Sequence, residues 1–169
     1  MKYWKQWVFS LGLLGLIAEG YAQVDVNSGP GAVVQNAIQK VLTDIKADPS
    51  LRQKDKASDL ITRVVVPHFD VTRMTRLAVG KNWRSASTEQ QSQLQSAFQT
   101  LLVRTYATSL SQYNNQTMVV KSVDTQGNDS VVHTQLVSPG AQPIGIDYSM
   151  EANGSNWLVY DMVIEGVSL

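Results

Sequence analysis

Apolar residues in this chain recur at helical spacing up to Tyr113, and at alternate positions from Gln116 onward. That change of period constrains the fold more than any other feature. A 3.6-residue repeat buries one stripe of a helix, and a repeat of two buries one face of a strand. Helices therefore come first and strands second, which is the pattern of an α+β domain.

The helical half divides at its breakers. Val34, Ala37, Ile38, Val41, Leu42 and Ile45 share one face of a first helix, preceded by a polar lead over residues 23–30 and broken at Asp48-Pro49. A second helix over 51–65 buries Ala57, Leu60, Ile61 and Val64, and Pro67 ends it. Asp70 can cap a third helix over 71–80, with its carboxylate at the positive end of the helix dipole and Gly80 as the stop. Ser87 and Gln90 form an S-x-x-Q capping box for the longest helix, whose apolar stripe includes Leu94, Phe98, Leu102, Tyr106 and Tyr113.

The strand half predicts four strands, over 117–123, 131–138, 144–152 and 156–167. Gly127-Asn128-Asp129, Pro139-Gly140 and Asn153-Gly154 link them, so an antiparallel meander is expected. In the third strand Ile144, Ile146, Tyr148 and Met150 share one face, and Gly145, Asp147, Ser149 and Glu151 the other. The fourth carries bulk on both faces: Trp157, Val159 and Val163 on one, Leu158, Tyr160, Met162 and Ile164 on the other. Such a strand is either covered on both sides or lines a cavity, and periodicity does not separate the two.

Residues 1–22 read as a cleaved signal peptide. Lys2 and Lys5 precede an apolar run from residue 7 to 18, and Gly20-Tyr21-Ala22 supplies small residues for cleavage before Gln23. The run is shorter than the ~20 residues of a spanning helix. Removing 22 of the 169 residues leaves 147, which suits one domain over 23–169. Lys2, Lys5 and Glu19 go with the leader, so the formal charge moves from 0 to −1. A nucleic-acid partner calls for a basic excess, which is missing here. With no cysteine, the chain has no disulfides, thiolate metal site or cysteine nucleophile.

Catalytic signals are sparse. His68-x-Asp70 suggests a metal or acid–base pair, but metal sites generally need three or four ligands, and a helix end beside a cap explains both residues. His133 reads as a surface or edge residue of its strand. Asp147 and Asp161 lie on neighbouring strands as a candidate carboxylate dyad, against the commoner reading of solvated sheet carboxylates. No nucleophile elbow, zinc-protease, Walker or dinucleotide motif occurs. Arg73, Arg76, Lys81 and Arg84 are the densest cations, suited either to an anionic headgroup or acidic partner, or simply to a solvated helix face.

Taken together, Phe69-Asp70, Met74-Thr75-Arg76-Leu77, Gly80-Lys81, Trp83-Arg84 and Ser87-Thr88-Glu89-Gln90 form an ordered motif series. It continues with Phe98, Leu102, Tyr106 and Tyr113, then Ile146-Asp147-Tyr148, Trp157-Leu158-Val159-Tyr160-Asp161 and Glu165-Gly166-Val167-Ser168-Leu169. In order and spacing the chain resembles the MlaC family of periplasmic phospholipid carriers, also called toluene-tolerance proteins, from about residue 33 to 169.

The resemblance implies an α+β domain whose N-terminal helices pack on a curved antiparallel sheet and enclose an apolar pocket for acyl chains. It implies a monomeric carrier rather than an enzyme, with phospholipid as cargo and no cofactor. Its partners would be an inner-membrane ABC transporter complex and an outer-membrane lipoprotein–porin complex, between which lipid moves to maintain outer-membrane asymmetry. The expected lining is Phe69, Met74, Leu102, Tyr106, Ile144, Ile146, Tyr148, Val159, Val163 and Val167. Met74, Met150 and Met162 add side chains that can repack around different tails. Arg73, Arg76, Lys81 and Arg84 would serve headgroup or partner docking. Family members commonly continue past the EGVSL motif, so a C-terminally short form is expected. The rivals are an exported enzyme using Asp147 and Asp161, or His68 with Asp70, and an adaptor that encloses no lipid.

Overall fold

A computed structural model describes residues 28–168, so the signal-peptide expectation lies outside the described residues. Four α-helices precede a five-stranded antiparallel sheet, as the change of period requires.

Helix α1 spans Gly29–Ala47. It begins inside the expected polar lead, because Pro30 sits in the first turn, where its missing N–H would have no helical partner anyway. Asp48 ends it, and its carboxylate accepts from the Ser50 amide at 2.9 Å to start a 3₁₀ turn over Pro49–Arg52. Helix α2 therefore starts later than expected and spans Lys54–Val64, with Ala57, Leu60 and Ile61 buried. A 3₁₀ turn over Val66–His68 follows. Asp70 caps helix α3 (Val71–Val79) by accepting from the Arg73 amide at 2.8 Å, and Gly80 closes it at φ 63°. Helix α4 spans Thr88–Ser111 and opens on a complete capping box. The Ser87 hydroxyl accepts from the Gln90 amide at 3.2 Å, and the Gln90 side chain accepts from the Ser87 amide at 2.9 Å.

The strands β1 (Thr117–Gln126), β2 (Asp129–Val137), β3 (Ile144–Asn153), β4 (Asn156–Ile164) and β5 (Val167–Ser168) pair in chain order. Two hairpins turn in two residues, Gly127-Asn128 and Gly154-Ser155, each with its glycine first and at positive φ. This Gly-first arrangement matches strand twist without strain. The expected fourth strand does not run unbroken to 167. Glu165 (φ 50°) and Gly166 (φ 81°) turn the chain, and β5 folds back on β4.

Two bulges reset which side chains face inward. On β1, the register steps from Val120 to Ser122 and leaves Lys121 extra; on β4, it steps from Val159 to Asp161 and leaves Tyr160 extra. An extra residue bends the strand and reverses the alternation beyond it. Hence Trp157 and Val159 face inward before the bulge, but Met162 and Ile164 after it. Val163, expected on the face of Val159, lies on the opposite face for this reason.

Two apolar clusters hold the layers together. Val34 of α1 packs with Val123, Val132, Met150 and Val159 of the sheet. Val41 and Ile45 of the same helix pack with Leu60 of α2, with Leu110 of α4 and with Tyr113 just past its end. Helix α1 thus contributes to both clusters. The edge of β4 is covered by residues 69–70: the Asp70 amide donates to the Val159 carbonyl at 2.8 Å. That contact carries Phe69 to the sheet and fixes where α3 begins.

Candidate functional site

Between α1, the C-terminal half of α4 and the inner face of the sheet, the side chains leave a cavity of about 390 Å³. This is within the ~300–1,000 Å³ range of small-molecule sites. One wall is the stripe of α1, from Val33 through Ala37 and Ile38 to Leu42. Tyr106 and Leu110 of α4, with Tyr113 just past its end, form a second wall. The floor is sheet: Met118, Leu136, Ile146, Tyr148, Val159 and Met162. Ile61, Val65, His68 and Phe69 close one side. Exposed Ser109 and Ile144, the latter 38% exposed, mark the rim.

Polar atoms on this surface are few. The Tyr106 hydroxyl donates to Sδ of Met162, and the Tyr148 hydroxyl to Sδ of Met118, each at 3.6 Å. Burial pushes the Tyr148 phenol up to about 12, and burial with the neighbouring Tyr148 raises Tyr106 further. Both are neutral donors at any ordinary pH. With His68 as the one ionisable side chain on it besides the phenols, a surface of this kind suits a hydrocarbon guest.

The structure brings six of the ten expected lining residues to the cavity: Phe69, Tyr106, Ile144, Ile146, Tyr148 and Val159. The other four lie elsewhere. Met74 is buried under α3 in a separate recess with Leu77, Ala78 and Tyr160. Leu102 is half-buried on α4, off the lining. Val163 is turned away by the Tyr160 bulge, and Val167 is 68% exposed on β5. Sequence reasoning missed the α1 wall, and it named Met162 as an adaptable side chain without placing it in the lining. The α1 stripe was visible, but a stripe facing a void has the same spacing as one facing a core. Met162 shares the inner face with Val159 only because of the parity change at Tyr160.

The charged candidates lie away from the cavity. Asp147 meets His133 Nδ1 at 2.8 Å, and Asp124 meets Nε2 at 3.1 Å, on the outer face of the sheet. Asp161 accepts from its neighbour's amide (Met162) at 2.9 Å and from the Ser168 hydroxyl at 2.8 Å. Asp147 stands opposite Val163 and Asp161 opposite Ser149, so the two carboxylates engage separate partners rather than form a dyad. His68 lines the cavity while Asp70 caps α3, which separates their roles. Among the described residues, no group of three or more His, Cys, Asp or Glu is placed to hold a metal ion. Arg73 pairs with Glu151 and stacks 3.4 Å over the centroid of the Tyr160 ring. Arg76, Lys81 and Arg84 are exposed, and none of the four lines the cavity.

Comparison with known proteins agrees with this geometry. A solved phospholipid-binding protein from Ralstonia solanacearum, in complex with a phospholipid, superposes with a TM-score of 0.76 at 36% identity. The match covers 83% of this chain and 80% of that one. The intermembrane phospholipid transport system binding protein MlaC of Haemophilus influenzae is 25% identical over 84% of this chain and 70% of its own length. Toluene tolerance protein ttg2D of Pseudomonas putida is 25% identical over 94% and 75% respectively. The family model described as MlaC protein matches residues 35–169, and the chain therefore belongs to the MlaC family.

Proposed function

We propose that this protein is a periplasmic phospholipid carrier. It holds acyl chains in the cavity between α1, α4 and the sheet, and leaves the headgroup at the rim near Ser109 and Ile144. The observation that carries the reading is the cavity: about 390 Å³, walled almost wholly by hydrocarbon, in a domain that superposes on a phospholipid-bound relative. Burial of a methylene contributes about 0.8 kcal/mol, so ten methylenes supply about 8 kcal/mol without any charged contact. Affinity can rest on the tails alone, which fits a site without a cationic lining.

In this reading the carrier shuttles lipid between an outer-membrane lipoprotein–porin complex and an inner-membrane ABC transporter complex, and so maintains outer-membrane lipid asymmetry. It acts as a monomer, with lipid as cargo, no cofactor and no chemical step. Exposed Arg76, Lys81 and Arg84 lie off the cavity, so they serve docking on acidic partner surfaces rather than the headgroup.

The test is native mass spectrometry of protein purified from the periplasm, with organic extraction of the bound material. Phospholipid at a defined stoichiometry is expected. A folded protein that is empty, and stays empty when offered phospholipid vesicles, overturns the carrier reading in favour of an adaptor.

A further inference from the structure

Six side chains bring polar atoms to the cavity wall: His68, Tyr106, Ser109, Tyr113, Gln116 and Tyr148. Two of them are committed to local backbone. The Ser109 hydroxyl donates to the Thr105 carbonyl at 3.3 Å, and Gln116 Oε1 accepts from the Asn114 amide at 2.6 Å. Of the three phenols, Tyr106 and Tyr148 stand apart. A buried tyrosine hydroxyl normally finds a strong acceptor, yet Tyr106 and Tyr148 donate only to the thioethers of Met162 and Met118. A thioether is a weak acceptor. These are donors that a better acceptor entering the cavity will claim.

Their position says what that acceptor is. Met118, Leu136 and Ile144 form one row across the sheet, and Ile144 is at the rim. Tyr148 and Met162 are paired in a row deeper along β3 and β4. The Tyr148 side chain reaches back to Met118, so its hydroxyl lies between the two rows, below the rim. Tyr106, on the α4 wall, reaches Met162 of the deeper row. An amphiphile with its headgroup at the rim brings its first acyl carbonyls to this level. Low polarity around the site strengthens any hydrogen bond made there.

We propose that the Tyr106 and Tyr148 hydroxyls are a specificity device, which leave the methionine sulfurs to donate to the acyl-ester carbonyl oxygens of the bound lipid. The site thereby prefers ester-linked over ether-linked phospholipid, because an ether lacks the carbonyl acceptor. The inference rests on the carrier reading above. The phenols stay protonated through burial, so the preference does not change between pH 6 and 9.

The experiment offers the delipidated full-length mature chain a diacyl phosphatidylcholine and its dialkyl ether analogue of equal chain length, in competition, read by native mass spectrometry. The wild type is expected to favour the diacyl lipid about tenfold, which corresponds to about 1.4 kcal/mol. Tyr106→Phe with Tyr148→Phe is expected to bring the ratio to about one. Equal affinities in the wild type, or a preference that survives the double substitution, overturn the proposal and leave the carrier reading standing. Failure of both lipids to bind the wild type overturns the two together. The wild-type comparison needs no variant, so misfolding of the double variant cannot obscure the answer.

Discussion

The two faces of the sheet are made by alternate residues of the same strands, and they behave as different materials. The inner face presents Val132, Thr134, Ile146 and Met150, all buried. The outer face presents His133 between Asp124 and Asp147, and Glu151 paired with Arg73. Of the groups that look like chemistry in the sequence, His133, Asp147 and Asp161 lie on the outer face, and only His68 lines the cavity. The face that does enclose a space has no ion pair at all among its sheet residues. A binding site for hydrocarbon is built by leaving polar groups out, so no motif announces it. Ion pairs on an open surface contribute roughly 0–1 kcal/mol each. An unpaired charge on the inner face costs several times that.

The largest effect expected is therefore from a charge placed on the inner face, set against the same charge on the outer face, both in rows beyond the β4 bulge. Ile146→Lys puts an ammonium into the cavity floor, at a residue 7% exposed. It is expected to cost on the order of 3–5 kcal/mol and to empty the protein of lipid. Val163→Lys adds the same charge on the outer face, opposite Asp147. It is expected to change stability by less than about 1 kcal/mol and to leave lipid retention intact. Urea unfolding and native mass spectrometry read both. If the Val163 variant were folded and empty while the Ile146 variant kept its lipid, the assignment of faces beyond Tyr160 would be wrong.

A second test stays on the inner face and separates packed core from cavity wall. Met150 is fully buried against Val34, Val132 and Val159. Met150→Ala is expected to cost about 2–5 kcal/mol, because it opens a new void in a packed cluster. Ile38→Ala trims a partly buried side chain that already borders open space, and is expected to cost clearly less. Retained lipid should rank the other way, with Ile38→Ala the more disturbed. Urea midpoints and extracted lipid per protein give the two orders, and equal costs at both sites would mean that the α1 wall is core.

Sequence reading went furthest where the signal is local. Asp70 and the Ser87/Gln90 box cap their helices, because a cap is a short-range hydrogen bond written in adjacent residues. The α+β order and the meander follow from the change of period at Gln116 and from glycines that start two-residue turns. What sequence missed is where one residue shifts everything after it. Nothing in the string NWLVYDMVI marks Tyr160 as a bulge, yet that extra residue sends Met162 in and Val163 out. Glu165, a non-glycine residue at φ 50°, broke the predicted long strand in the same unmarked way. Helix α1 shows a third limit. Its stripe forms one wall of the cavity, and helical spacing carries no information on whether the opposite surface is in contact or a few ångströms away.

The smallest effect belongs to the outer face and concerns pH. Burial of the His133 ring works against its proton, but Asp147 at 2.8 Å and Asp124 at 3.1 Å outweigh it, and the pKa lies above the ordinary 6.5. A group whose folded pKa is raised stabilises the fold fully below its unfolded pKa, and loses that contribution as pH rises through the folded value. Wild type should therefore exceed His133→Gln in urea midpoint at about pH 5.5 to 6, where the ring is charged. The gap should close toward about pH 8.5, where the ring is neutral in both states. With the ring partly open to solvent the difference should stay under about 1 kcal/mol. Lipid content should be the same in both proteins at either pH, because the imidazole and the cavity are on opposite faces of one sheet. A stability gap that widened with rising pH would reverse the sign and show that the folded protein prefers the neutral ring. A lipid content that followed the titration would show that the two faces communicate through the strands, and that their separation is geometric but not energetic.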